Sequence, residues 1–231
     1  MKAIRLLLER VEYVVRNEGW IAFIRAVFIF IRYHLIFRRS YYLSECRLME
    51  TKIKEVLPLI DGYSLKIIDQ NHQVDELALE GLKFSPWYPI HRERLNKGAI
   101  AFCVFVGKEL AHISWCAFDQ NAMKSLGGPP LKVDFAHNES VCGAYWTSPK
   151  YRGYRLAPYA TRKKYQYIRE LGTVIERATM AIDNVAAHRA FSRGHHRIYA
   201  TGRHLRILWW ESWKEMLLDQ SEDPIKRTLH E

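Results

Sequence analysis

The chain has 231 residues, 48% of them hydrophobic and 26% charged, and carries a net charge of +10. That composition is globular, enough for one substantial core and an appended segment. Four cysteines show no C-x-x-C spacing and no density suggesting a disulfide framework; Cys103, Cys116 and Cys142 lie in strand-like runs and read as buried, reduced thiols of a cytoplasmic protein. The charge is unevenly placed: from Lys150 to Arg206 thirteen basic residues stand against three acids. Such a field attracts phosphates, whether of a nucleotide cofactor, a nucleic acid or an anionic lipid.

Residues 3–16 read as an amphipathic helix, with Ile4, Leu7, Leu8, Val11, Val14 and Val15 at helical spacing. Asn17-Glu18-Gly19 interrupts it. Residues 20–37 are apolar and aromatic, but Arg25 and Arg32 argue against a membrane span, each costing about 2.5–3.5 kcal/mol at a bilayer centre. Arg25, Arg32 and Arg39 form one stripe, a pattern that suits a helix in the membrane interface or one packed on protein. With Arg25 and Arg32 interrupting the apolar run and no small-residue cleavage site following, the stretch does not resemble a cleaved signal peptide.

Residues 40–58 read as a polar connector of helical character ended by Pro58. A strand follows at 63–69 and a short helix at 75–82, and the aromatic, proline-rich stretch 84–89 is read as non-helical. Runs 100–107 and 111–118 make a hairpin, and Gly127-Gly128-Pro129-Pro130 marks a loop. Residues 139–147 form a strand that breaks at Thr147-Ser148-Pro149 and passes through a basic turn into a helix from Pro158 to Leu171, with Gly172 at its end. That geometry leaves backbone N–H groups converging on one point, which favours an anionic phosphate. A strand at 177–183, Asn184, a helical run at 185–193 and strands near 197–201 and 205–210 complete the order. The tail from residue 220 is polar. The layout is mixed α/β around one sheet.

Two segments carry a resemblance. Arg152-Gly153-Tyr154-Arg155-Leu156-Ala157, with Thr147 and Pro149 before it, resembles the phosphate-binding turn Arg/Gln-x-x-Gly-x-Gly/Ala of the GNAT superfamily of acyl-coenzyme A-dependent N-acyltransferases. Ile182 to His195 resembles that family's Asn-x-x-Ala/Ser helix. The likeness covers element order from about Tyr63 to Trp213. It implies a mixed, mostly antiparallel central sheet flanked by helices over residues 58–215, behind an amphipathic basic segment (1–57) and before a polar tail (216–231). It further implies an acetyl-coenzyme A or other acyl-coenzyme A cofactor and a small-molecule or lipid-linked amine as acceptor.

By this resemblance Tyr145, Trp146 and Thr147 meet the pantetheine arm, Arg152, Gly153, Tyr154, Arg155, Leu156 and Ala157 hold the pyrophosphate, and Asn184 and Phe191 line the arm. Several positions depart from the pattern, among them Gly194, one residue early, and His195 in place of the usual Phe. Arg155 stands where the family has Gly, and is expected to keep an ordinary φ there. Phe191 stands where many members carry an acid-donating Tyr, so either Tyr199, Tyr145 or a water substitutes or no specific acid is needed. Glu139 is the best-placed base by sequence, ahead of Asp134, His137 and His112, its bland alternative being a solvated strand-end carboxylate. No ligand spacing for a metal exists among the histidines. Other readings stay open: a basic nucleic-acid-binding module with interleaved tyrosines, a catalytically degenerate GNAT-like protein held at an anionic membrane through residues 1–39, and a homo-oligomer.

Overall fold

A computed structural model describes residues 20–21, 36–84, 88–185, 187–188, 196–207 and 210–218. The expected helix at 3–16, most of the apolar stretch at 20–37, Phe191 and the tail lie outside the described residues. The elements run β1 (Ile36–Arg47), β2 (Tyr63–Ile68), α1 (Asn71–Leu79), α2 (Tyr88–Asn96), β3 (Ile100–Val106), β4 (Glu109–Ala117), α3 (Gln120–Ser125), β5 (Glu139–Thr147), α4 (Leu156–Glu170), β6 (Ile175–Ala181), β7 (Arg197–Ile207) and β8 (Trp210–Leu217). The eight-stranded sheet has the order β2-β3-β4-β5-β6-β1-β7-β8. Its ladders are antiparallel at β1–β6, β2–β3, β3–β4 and β4–β5, and parallel at β5–β6. The chain divides into two compact units: residues 1–40 with 202–215, and residues 41–201 with 216–231.

In the second unit, α4 explains why the core forms where it does. Leu156, Ala160, Lys164 and Ile168 recur every fourth residue and are all buried, a single stripe laid on the sheet. Around Ile168 pack Cys46, Leu48, Phe102, Cys116, Cys142 and Tyr165; around Leu156 pack Val104, Ala111, Tyr151, Tyr159 and Ala160. Each fully buried Leu or Ile contributes about 1.5–3 kcal/mol. Gly172, at φ +88°, ends α4 in a Schellman motif: its N–H donates to Arg169 O at 3.0 Å, and Thr173 N–H donates to Ile168 O at 3.0 Å. All four cysteines are buried and unbridged.

Three sequence expectations are corrected, and one further helix is added. Residues 36–47 form β1, not a helix end and connector, because Tyr41 to Arg47 pair antiparallel with Ala181 to Ile175 and bury Leu43, Ser44 and Cys46. Helix α2 was not foreseen, and it begins at Tyr88-Pro89, inside the stretch read as non-helical. Helix α3 is started by Asp119, whose carboxylate accepts from the N–H groups of Asn121 and Ala122 at 2.7 and 2.9 Å. The two short strands expected after residue 196 are one strand, β7, followed by β8.

Candidate functional site

The parallel pairing of β5 and β6 runs from Glu139–Ile175 only as far as Cys142–Ala178, although β5 continues to Thr147 and β6 to Ala181. The cause lies in β5. Its register with β4 slips by one residue between Trp115–Gly143 and Ile113–Trp146, and Ala144 takes φ +49°. An extra residue bends a strand and increases its twist. Beyond the bulge β5 keeps its ladder with β4 through Trp146 and Thr147. Its other edge, once facing β6, leaves the ladder. The two strands splay into a gap edged by backbone hydrogen-bonding groups.

Directly after the splayed segment the chain turns. Pro149–Tyr151 form a 3₁₀ turn, and Lys150 Nζ and Tyr151 Oη both donate to Glu109 Oε2 at 2.7 Å. Arg152 Nε donates to Thr147 O at 3.4 Å, holding the turn to the strand end. Gly153 takes φ +89° in open space. Arg155 caps α4 with φ +60° and ψ +19° and no side-chain cap. That overturns the expectation of an ordinary φ: the arginine itself adopts the left-handed conformation that glycine usually supplies, at a cost of about 1–2 kcal/mol. The backbone N–H groups of residues 153–157 donate to no acceptor among the described residues. Alternating αL and αR residues at a helix N-terminus turn such groups inward as an anion-binding nest. Arg152 and Arg155 are exposed beside it.

A charged network is buried where β5 and β6 separate. Lys164 Nζ donates to Glu176 Oε1 at 2.6 Å and to Tyr145 Oη at 2.8 Å, and neither Lys164 nor Glu176 has any exposed side-chain surface. Burial alone would push the lysine down and the carboxylate up. The acidic groups around Lys164, Glu176 among them, instead hold it above its ordinary range, and Lys164 and His196 hold Glu176 below its own. Tyr165 Oη lies 2.7 Å from His196 Nε2, which is 3.4 Å from Glu176 Oε2, while Ser44 Oγ lies 3.2 Å from His196 Nδ1. Tyr145 thus keeps its hydroxyl inside on Lys164 while 40% of the residue is exposed. On β4, His112 sits at the same end: Nδ1 is 2.8 Å from Thr147 Oγ1, and the buried Nε2 has no partner among the described residues. Burial, with the charge of Lys164 adding to it, lowers His112 to about 3, so the ring is neutral.

The candidates from sequence fall in two places. Tyr145, Trp146, Thr147 and Arg152 to Ala157 come together at the splayed strand end and turn. Asn184 caps the helical residues after β6, its Oδ1 accepting from Ala187 N–H at 3.1 Å. Glu139 lies at the opposite end of β5, eight strand residues or about 26 Å from Thr147. It is 8% exposed and not a solvated carboxylate: Arg177 donates to both its oxygens at 2.6 Å, and Asp134 N–H donates at 2.9 Å. Burial pushes Glu139 up, but Arg177 and that N–H outweigh it and hold it below the usual carboxylate range. Tyr199 shares the same arginine, whose guanidinium stacks 4.9 Å from its ring centroid. Glu45 Oε2 is a third partner of Arg177, at 3.4 Å. Glu139 and Tyr199 are thus both engaged by Arg177 away from the turn, whereas Tyr145 and His112, also named as proton-transfer candidates, lie at its end of β5.

Sequence reasoning passed over Lys164 and Glu176, and ranked His112 behind Glu139. The signal for Lys164 was its place midway along the apolar stripe from Leu156 to Ile168. Glu176 likewise alternates with Ala178 and Met180 on the buried face of β6.

No family model and no curated protein matches the sequence. Among solved structures the chain is similar to a tandem GNAT protein from the clavulanic acid biosynthesis pathway, at 12% identity and a TM-score of 0.49 over 76% of this chain and 53% of that one. It is also similar to a GCN5-related N-acetyltransferase from Kribbella flavida, at 12% identity and a TM-score of 0.46 over 79% and 63%. A third is an acetyltransferase of the GNAT family from Colwellia psychrerythraea, at 12% identity and a TM-score of 0.46 over 75% and 57%. The chain thus spans between about half and two thirds of those proteins' own lengths.

Proposed function

We propose that the chain is an acyl-coenzyme A-dependent N-acyltransferase that transfers an acyl group, acetyl in the first instance, to a primary amine. The observation that carries the reading is the coincidence, at one end of β5, of an opened parallel strand pair and a helix-entry turn whose five N–H groups have no acceptor among the described residues. A coenzyme A thioester needs both: a slot for an extended amide-bearing arm and an anion cradle for its pyrophosphate.

The residues fit that group by their own chemistry. The N–H groups of 153–157 and the exposed Arg152 and Arg155 meet the phosphates. The freed edge of β5 from Tyr145 to Thr147 offers strand-like hydrogen bonds to the arm, with Asn184 on the far side of the gap. When bound, the thioester supplies an activated carbonyl to a neutral amine. A C–N bond forms, the C–S bond breaks, the thiolate leaves and the amine's proton passes to solvent. The protein's part is positioning and dipoles fixed in advance, which supply most of the acceleration in such transfers. The Lys164–Glu176 pair contributes by holding α4, β5 and β6 at a set separation. Glu139 and Tyr199, both engaged by Arg177, are left out of the assignment.

Ala157→Asp tests the reading. An acidic side chain in the first turn of α4 favours the helix dipole by about 0.3–1 kcal/mol, so the fold is unharmed. A phosphate in the nest would meet a like charge, and acetyl-coenzyme A affinity should fall by about tenfold or more. The readout is thiol release with a panel of amines, alongside thermal melting. Unchanged saturation by acetyl-coenzyme A in Ala157→Asp would contradict the cradle.

A further inference from the structure

In the first unit, the strand pair formed by residues 202–207 and 210–215 has two faces of different chemistry, and residues 36–40 carry the same division. The ring of Trp213 occupies the place where a Cβ on Gly202 would lie, His204 Nε2 is 2.6 Å from Glu211 Oε1, and the ring of Phe37 meets that of His204 edge-on at 5.2 Å. The guanidinium of Arg206 lies 5.8 Å from the Phe37 ring. These contacts put Phe37, His204, Arg206, Glu211 and Trp213 on one face. The acids there are engaged, Glu211 by His204 and Glu215 by Trp213 Nε1 at 2.7 Å.

Strand alternation puts Arg38, Arg203, Leu205, Ile207, Trp210 and Lys214 on the other face. That face holds no acid among the described residues of the unit. Arg38, Arg203 and Lys214 are exposed and form no ion pair among them. Ile207 and Trp210 are 40% and 52% exposed. Like charges on neighbouring strands repel unless an anion lies over them. Exposed aliphatic and Trp side chains lose free energy to water unless something apolar covers them. One ligand answers both: a surface with anionic heads above an apolar layer.

We propose that this face of the first unit docks on an anionic lipid bilayer, Trp210, Ile207 and Leu205 entering the interface and Arg38, Arg203 and Lys214 meeting the headgroups. The inference is independent of the acyl-transfer reading, which concerns the second unit. Composition extends it: residues 20–44 contain Arg25, Arg32, Arg38 and Arg39 and no acid at all. Trp20 and Ile21 are 66% and 86% exposed. Among the described residues no helix is long and apolar enough to cross a membrane, so the contact proposed is with the surface. Nucleic acid would use the same cations and could stack on Trp210, but aliphatic Leu205 and Ile207 beside it offer no ring for a base and suit an apolar layer.

Full-length protein is floated with phosphatidylcholine vesicles with and without phosphatidylglycerol, across a salt series. Binding should require phosphatidylglycerol and weaken with salt. Arg203→Glu with Lys214→Glu should lower partitioning by about 25-fold or more, since each basic residue at an anionic surface is worth about fivefold. Lys52→Glu with Lys54→Glu, the same charge change on exposed residues that are not part of this face, should stay within about threefold at salt that screens charge beyond direct contact. Trp210→Ser tests the apolar half with no charge change and should lower partitioning as well. Thermal melts of each variant separate loss of docking from loss of fold. Failure of the wild-type chain to float, or equal losses in both charge variants, overturns the proposal. So does competition by duplex DNA that displaces the vesicles and is itself lost in Arg203→Glu/Lys214→Glu, which would assign the face to nucleic acid.

Discussion

Replacing Lys164 by Met keeps the length and apolar stem of the side chain and removes the ammonium from between Glu176 Oε1 at 2.6 Å and Tyr145 Oη at 2.8 Å. Both charged groups have no exposed surface, so water cannot take the lysine's place without opening the core. A buried carboxylate deprived of its partner costs about 3–5 kcal/mol. For a chain of this size that lowers the melting temperature by about 10 °C. Lys164→Met with Glu176→Leu removes both charges and fills the site with apolar atoms, and should recover to within about 1.5 kcal/mol of wild type. The sign with pH follows. In Lys164→Met the Glu176 carboxyl is raised in the fold, so its neutral form adds stability below the unfolded carboxylate range, lost as pH rises. The variant should therefore lie closer to wild type at pH 5 than at pH 8. Urea denaturation of the three proteins at both values is the assay. A loss under about 1 kcal/mol for the single variant, or strictly additive losses in the double, would refute the buried pair as an organising element.

Further consequences can be measured in the same way. Arg155→Gly relieves a left-handed backbone worth about 1–2 kcal/mol and adds about 0.4–1 kcal/mol of unfolded-state freedom, so a net gain near 0.5–1 kcal/mol is expected in thermal melts. A loss of stability would mean the side chain holds the turn in some other way. His91 and His112 are kept neutral by burial, lowered to about 4 and about 3, the charges of Arg94 and Lys164 adding to it. The unfolded chain takes up their protons below about pH 6.5 while the fold refuses them. Stability is therefore full above that value and falls by up to about 1.4 kcal/mol per pH unit for each histidine as pH drops toward 4. His112→Gln should flatten that slope, and equal slopes in the two proteins would count against it. Glu139→Gln breaks the two-armed contact with Arg177 and should lower stability by about 1–3 kcal/mol. Turnover with a saturating amine should stay within about twofold of wild type; a loss of the 10²–10⁴ expected of a base would restore Glu139 to the chemistry.

The elements that place the site were readable where local pattern and tertiary demand agree. The hairpin of β3 and β4, the strand before the turn and α4 with Gly172 at its end follow from alternation, helical spacing and a glycine stop signal. Strand β1 was not readable, because apolar helix-like spacing runs on from residue 20 and the antiparallel partner, β6, is about 130 residues away. Glu139 was hidden because its partner Arg177 is on another strand, 38 residues on; a carboxylate at a strand end reads the same whether solvated or clamped. Arg155 and Lys164 failed for the opposite reason. Arginine in a glycine position suggested ordinary backbone, and lysine in a basic run suggested a solvated cation, but the fold overrides both local preferences. Of the thirteen basic residues from Lys150 to Arg206, Lys150, Lys163, Lys164 and Arg177 are engaged by Glu109, Glu55, Glu176 and Glu139. The phosphate-attracting field is smaller than composition implies, and is carried at the turn by Arg152 and Arg155.

The proposed cofactor cradle is tested most directly by calorimetric titration of the full-length protein with acetyl-coenzyme A. One saturable site per chain, weakened by about tenfold or more in Ala157→Asp at unchanged melting temperature, is the expected result. Absence of saturable binding by a folded wild-type chain would contradict the account.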